Sequence, residues 1–214
     1  MNIKDAISEE VTKDPLQAIF DRQKELMDNY HNIEAKSGLL QTPDCPVNLD
    51  DKKGQARLKD FAWRITEELG EALDSLYVDK DREHFKEELV DGLHFLTEFS
   101  ILAGFTPTVI AKYLPSPNAL EFLFNIPKLK YRYNLETFVS RFIQKLGMTC
   151  NSLKNKPWKQ SQMLTDKEVF YERLLETWKA YFCILFYAFD DCNEVVDTYL
   201  KKSQVNKFRQ RSNY

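Results

Sequence analysis

Two acidic signatures lie close together in this chain and constrain it more than any other feature. Glu68-Leu69-Gly70-Glu71 comes first, and Glu88-Leu89-Val90-Asp91 follows after a short polar break at Asp79-Lys80-Asp81. Residues three apart on an α-helix are surface neighbours, so each signature sets two carboxylates side by side. The break is short enough to fold the two helices back antiparallel. Four carboxylates then face one another.

Their placement on the helices sharpens the point. At 100° per residue, Phe61, Ile65, Leu69, Ala72 and Leu76 form one apolar stripe. Glu68 sits on its margin and Glu71 one step further out. On the second helix Phe85, Leu89, Gly92, Phe95, Leu96, Phe99 and Ala103 form a broad apolar arc. Glu88 falls inside that arc and Asp91 at its edge. A carboxylate within a packed face must be paired, protonated or metal-bound. Two like charges 4 Å apart repel by about 4 kcal/mol at an effective dielectric near 20. All-oxygen ligands suit a hard cation, and Mg²⁺ is the usual one where phosphate shares its shell. The competing reading is a solvated helix face, with salt bridges drawn from Arg64, Lys80, Arg82 or Lys86.

Composition favours helices. Aromatics are plentiful, with 15 Phe, 10 Tyr and 3 Trp, while the 6 Gly are too few for a strand-and-turn architecture. The 214 residues suffice for one domain with a sizeable core. A formal net charge of −3 gives no bulk attraction to nucleic acid or to an anionic membrane. Cys45, Cys150, Cys183 and Cys192 form no CxxC pair and no metal spacing with His31, His84 or His94, and they read as reduced cytosolic thiols. The N-terminus has no apolar signal core, and the longest apolar run, near 181–189, is too short to span a bilayer. There is no Walker A loop, dinucleotide glycine fingerprint or GxSxG elbow. Any nucleotide chemistry here would have to rest on a carboxylate-bound metal.

In chain order, residues 1–13 are polar and expected to fray. Asp14-Pro15 starts a helix whose apolar positions are Leu16, Ile19, Phe20, Met27 and Tyr30. Gln23 lies near that inward side, and periodicity alone makes it an ordinary surface residue. A loop is expected over 36–53, with Gly54 also read as a helix breaker. Gly104 ends the second acidic helix and Thr106-Pro107 opens another. Prolines at 115, 117 and 127 predict a turning chain over 114–128. Leu135–Leu146 reads as a helix stopped by Gly147. The polar run from Cys150 to Thr165, with Lys154, Lys156, Trp158 and Lys159, is either a mobile basic loop near a phosphate or merely solvated. Asp166 caps a helix to about Phe189, apolar on so many sides that it is central in a bundle or at a subunit interface. Asn193 or Asp191 opens the last helix, which ends in a basic tail. That tail is either solvated or a phosphate grip.

The chain resembles the all-α nucleoside triphosphate pyrophosphohydrolases, which include the MazG proteins and the dimeric dUTPases. Within that superfamily it is similar to the branch of dimeric dUTPases and phage dCTP/dUTP pyrophosphatases. Asp14-Pro15-Leu16-Gln17 with Phe20 and Gln23 resembles the N-terminal motif. EELGE (67–71) and EELVDGLHF (87–95) resemble the two metal motifs, and VNKFRQRSNY (205–214) the C-terminal signature. Two positions depart from the pattern. Asn213 stands where the signature has Gly, and Ser203 where an Asn often follows the lysine. Residues 115–170 fall outside the likeness and correspond to a variable insert in what is otherwise a single domain over 1–214.

The resemblance implies an all-α bundle forming a homodimer in the cytoplasm, with no nucleic-acid or membrane partner. It implies hydrolysis of a deoxynucleoside triphosphate, dUTP and perhaps dCTP, to monophosphate and pyrophosphate. Glu68, Glu71, Glu88 and Asp91 would hold Mg²⁺, with Glu68 and Glu71 catalytic and Glu68 preferred for deprotonating water. Lys202, Lys201 and Arg209 would grip phosphates. Gln23 and Asn206 would read the base edge, and Phe20, Trp63 or Phe208 would stack on it. The alternatives are a dCTP-selective or broad house-cleaning pyrophosphatase, and a nucleotide-binding helical protein without catalysis. The presence of all four carboxylates argues against the last.

Overall fold

The computed structural model describes residues 14–116, 118–130 and 134–212, with the side chains of 128–130 left aside. The expected fraying of 1–13 lies outside these residues, as do Pro117, Asn213 and Tyr214. Among the described residues the architecture is all-α. In order come α1 (Pro15–Lys36), α2 (Lys52–Asp74), α3 (Arg82–Leu102), α4 (Pro107–Tyr113), α5 (Ala119–Lys130), α6 (Leu135–Ser152), α7 (Lys167–Ala188) and α8 (Cys192–Arg211).

Helix starts follow the capping residues visible in the sequence. The Asp14 carboxylate accepts from Leu16 N, and Pro15 occupies the first turn, where its missing N–H costs nothing. Asp51, Asp81, Asp166 and Asp191 cap α2, α3, α7 and α8 in the same way. Asp191, rather than Asn193, opens α8. Between α2 and α3 the chain widens into a π turn at Ser75–Asp79, then reverses through Lys80 at φ 61°. Gly104, at φ 72°, ends α3, and Thr106-Pro107 opens α4.

Three expected breaks are absent. Gly54 lies inside the first turn of α2, where a Cβ would meet the Asn48 carbonyl at 2.4 Å, so it is there for close approach. Gly147 lies inside α6, which continues to Ser152 with open space beside the glycine. Pro127 is internal to α5, so the stretch expected to turn is largely helix. Periodicity of the apolar residues outweighs one weak former in each case.

α3 is the hub. It pairs with α2 along its length and also packs on α1, α7 and α8. Phe61, Ile65, Leu69 and Ala72 of α2 are buried against it. α7 is central in this chain's own bundle, with Trp178, Tyr181 and Phe182 buried. Trp178 is satisfied there by its indole N–H, which donates to Ser100 Oγ at 2.9 Å. α5 and α6 pack on α7 through buried Leu120, Leu123, Phe124, Phe142 and Leu146.

The basic run after α6 is fixed at the far end of α2. Buried Asn155 bonds Gln55, Asp50 and Met163 at 2.7–2.8 Å. Lys52 donates to the Lys159 carbonyl, and Lys59 to that of Leu153. These α2 anchors lie nine to sixteen residues before Glu68, about 13–24 Å along the helix axis. Lys154, Lys156, Trp158 and Lys159 are therefore remote from the carboxylates, and the solvated reading holds. The four cysteines are free, and among the described residues no single helix is long and apolar enough to cross a membrane.

Candidate metal centre and base cavity

The α2–α3 pairing brings the two acidic signatures together. Glu68, Glu71 and Glu88 each offer an oxygen within 4.8 Å of the others. Glu71 is exposed, Glu68 half-buried and Glu88 buried, so the cluster runs from solvent into the helix interface. Glu68 is pushed up to about 8, first by burial, then by Glu88, Asp91 and Glu71. Asp91 is pushed up to about 6 by burial, against the pull of Lys202. Carboxylates that hold their protons near neutrality lack positive charge, and a divalent cation supplies it. The donor set fits a hard metal ion.

The salt-bridge alternative takes a different form from the one expected. Arg64 pairs with Glu34 and Asp60, both at 2.8 Å, and Lys86 with Glu194 at 2.6 Å. Lys80 caps the Tyr77 carbonyl. The side chains that do reach the signatures are Lys202, on Asp91 at 2.8 Å, and the His84 imidazole, on Glu88 at 2.7 Å. Asp91 thus stands apart from the three clustered glutamates, held by the last helix.

Beside the carboxylates opens a cavity of about 300 Å³. That is the small end of the range for ligand pockets. Glu68 and Asp91 border it, and Gln23 of α1 and Asn206 of α8 line it. Gln23 is 3 % exposed, contrary to the surface position that periodicity gave it. Its Nε2 donates to Glu98 Oε2 at 2.8 Å, and its Oε1 accepts from His94 Nδ1 at 2.8 Å and the Tyr199 hydroxyl at 3.0 Å. The His94 ring stacks on Tyr199 with centroids 3.8 Å apart, and burial pushes the imidazole down to about 3. His94 is therefore neutral. With Nδ1–H committed to Gln23, its Nε2 is an acceptor, buried and without a partner among the described residues.

The expected stacking residues are placed otherwise. Phe20 is buried in the core against Trp178 and offers no face to a ligand. Trp63 is largely exposed and donates to Glu67, on a different side of α2 from Glu68. Phe208 is exposed and does not line the cavity. The aromatic residues that do line it are Phe95 and Tyr30. Arg64 lies over the Phe95 ring at 5.9 Å and that of Phe61 at 4.5 Å, and it lines the same cavity. Lys201, Lys202 and Arg209 share a second cleft of about 280 Å³ with Lys86 and Glu87, joined to the first through the Lys202–Asp91 bond. Ser203 is buried, its hydroxyl without a partner among the described residues, and it lines neither space.

Sequence reasoning missed His94, Phe95 and Glu98. The signal was present: from Asp91, steps of three and then four reach His94 and Glu98 on one face of α3. Roles were expected only as far as Asp91, although the second motif as quoted runs on through His94 and Phe95.

No curated protein and no solved structure matches the chain. A family model described as dUTPase matches residues 15–214, nearly the whole length, and takes in both acidic helices and both termini of the cavity wall. The chain belongs to the dUTPase family.

Proposed function

We propose that the chain hydrolyses dUTP to dUMP and pyrophosphate with Mg²⁺, accepting dCTP less well. The observation that carries this reading is the glutamate cluster opening onto a cavity with buried amide and imidazole walls. Glu68, Glu71, Glu88 and Asp91 would hold the metal. When bound, Mg²⁺ neutralises phosphate charge and acidifies water.

The chain's own residues supply the rest. Glu68, the half-buried carboxylate whose proton affinity burial and its acidic neighbours raise, orients the attacking water and takes its proton. The water oxygen bonds to the α-phosphorus, and the bond to the bridging oxygen of pyrophosphate breaks. Lys202, Lys201 and Arg209 line the cleft next to Asp91, where they neutralise the leaving oxygens. Phe95 supports the base by contact, and Gln23 and Asn206 meet its edge.

The test is pyrophosphate release from dUTP, dCTP, dTTP, dATP and dGTP, with Mg²⁺ and again with EDTA. Release from dUTP, abolished by EDTA, supports the proposal. Greater release from dCTP moves the protein to the dCTP-selective type. No release from any of the five leaves a nucleotide-binding protein without catalysis.

A further inference from the structure

A glutamine side chain reads a carbonyl or an amine equally well, because its amide carries both a donor and an acceptor. In this cavity that freedom is removed. The amide atom 2.8 Å from Glu98 Oε2 must be the nitrogen, because a carboxylate only accepts. The Gln23 oxygen then has its two lone pairs filled by His94 Nδ1 and the Tyr199 hydroxyl. Turning the amide over would set its oxygen against the carboxylate. Glu98 is itself held: it is 3 % exposed, and its other oxygen lies 3.3 Å from His31 Nε2. What stays free on Gln23 is one N–H.

The position of Gln23 says which part of a base it meets. Its partners His94 and Glu98 stand three and seven residues beyond Asp91 on α3, about 4.5–10 Å along the axis. With phosphates at the carboxylates, a pyrimidine entering the cavity offers Gln23 the edge remote from its sugar. That edge carries a carbonyl at C4 in uracil and an amine in cytosine. A fixed N–H pairs with the carbonyl and opposes the amine.

We propose that Glu98, acting through Gln23, makes the cavity select 4-oxo pyrimidines and reject 4-amino pyrimidines. Glu98 is a positioning residue here, and His31 holds it in place. The inference rests on the reading of the site as a deoxynucleoside triphosphate site.

The experiment is calorimetric binding of the α,β-imido analogues of dUTP and dCTP in Mg²⁺, which reads affinity without turnover. The wild-type chain should favour the dUTP analogue by at least about tenfold, the worth of one charge-anchored hydrogen bond. Glu98→Gln frees the amide, and the preference should fall to within about threefold. The exchange Gln23→Glu with Glu98→Gln keeps the atoms and the net charge but reverses the polarity of the pair, and it should favour the dCTP analogue. An unchanged ratio in folded Glu98→Gln, or equal weakening of both analogues, overturns the proposal by leaving Glu98 a packing role alone. Failure of the exchanged pair to shift preference toward the dCTP analogue overturns it as well. Wild-type protein that binds neither analogue removes both this inference and the functional reading. Wild-type protein that discriminates between them without turnover removes only the catalytic reading.

Discussion

The Tyr181 hydroxyl donates to the Leu89 carbonyl at 2.7 Å and occupies the space beside Gly92. A Cβ on Gly92 would meet that hydroxyl at 2.2 Å and Glu68 Cβ at 3.6 Å. The glycine therefore lets α7 and α2 approach α3 at the turn that carries Glu88 and Asp91. Gly92→Ala should cost about 1–3 kcal/mol through overpacking, lowering Tm by about 2–4 °C per kcal/mol. Tyr181→Phe in the same chain removes the colliding oxygen and should recover part of the loss. Thermal melts of the two single variants and the double variant check this, and simple additivity would refute the shared contact.

Glu68→Gln should stabilise the metal-free protein and disable it. The amide removes a charge that burial and three neighbouring carboxylates disfavour. Tm without metal should rise at pH 8, while turnover of dUTP with Mg²⁺ falls at least about a hundredfold. Retained turnover would show that Glu68 does not serve the reaction. Glu71→Gln, at an exposed position, should lose turnover with little change in Tm in either direction.

Stability without metal should decline as pH rises. The Glu68 and Asp91 pKa values are raised in the folded chain, to about 8 and about 6. Between its unfolded and folded values each group binds more protons folded than unfolded, so the unfolding free energy falls with pH. For Glu68 that window runs from 4.5 to about 8. His94 works the other way, since its folded pKa is lowered from 6.5 to about 3. Its contribution is complete above 6.5 and is lost as pH falls. Melts from pH 6.5 to 8 isolate Glu68, because the Asp91 window closes at about 6. They should slope downward in EDTA and flatten in Mg²⁺, and a slope indifferent to Mg²⁺ would count against the metal centre.

Lys202→Met tests the bond between the last helix and the second signature. Lys202 lies 2.8 Å from Asp91, and both side chains are mostly buried. Removing one partner leaves the other unpaired, at a cost of about 1–3 kcal/mol. Tm should fall in EDTA and recover largely in Mg²⁺, because the metal gives Asp91 another counter-charge. An identical Tm for variant and parent in EDTA would show the pair to be inconsequential.

Helix starts and the α2–α3 hairpin were legible because their determinants are local. Aspartate caps, proline at the first helical position and an apolar period of 3.6 act within a few residues. Gly54, Gly147 and Pro127 misled for the complementary reason: tertiary packing outweighed a weak local preference. The carboxylates were legible because two spaced pairs repeat one pattern. The cavity was not, since Gln23 becomes buried only by contact with α3 and α8, and no period in α1 shows this. Phe20 was assigned to the cavity by likeness and lies in the core, because its side of α1 faces Trp178.

The Tyr199–Gln23 bond joins residues 176 apart, and Gln210 reaches the Leu26 carbonyl across 184. The α2–α3 hairpin closes over roughly twenty residues. By loop-closure entropy alone, the longer closure costs about 2 kcal/mol more. During synthesis the two therefore part company in time. The acidic hairpin can assemble before α7 and α8 have been made, whereas the cavity wall awaits α8. A nascent chain thus acquires its charge cluster before it acquires the wall of the cavity beside it.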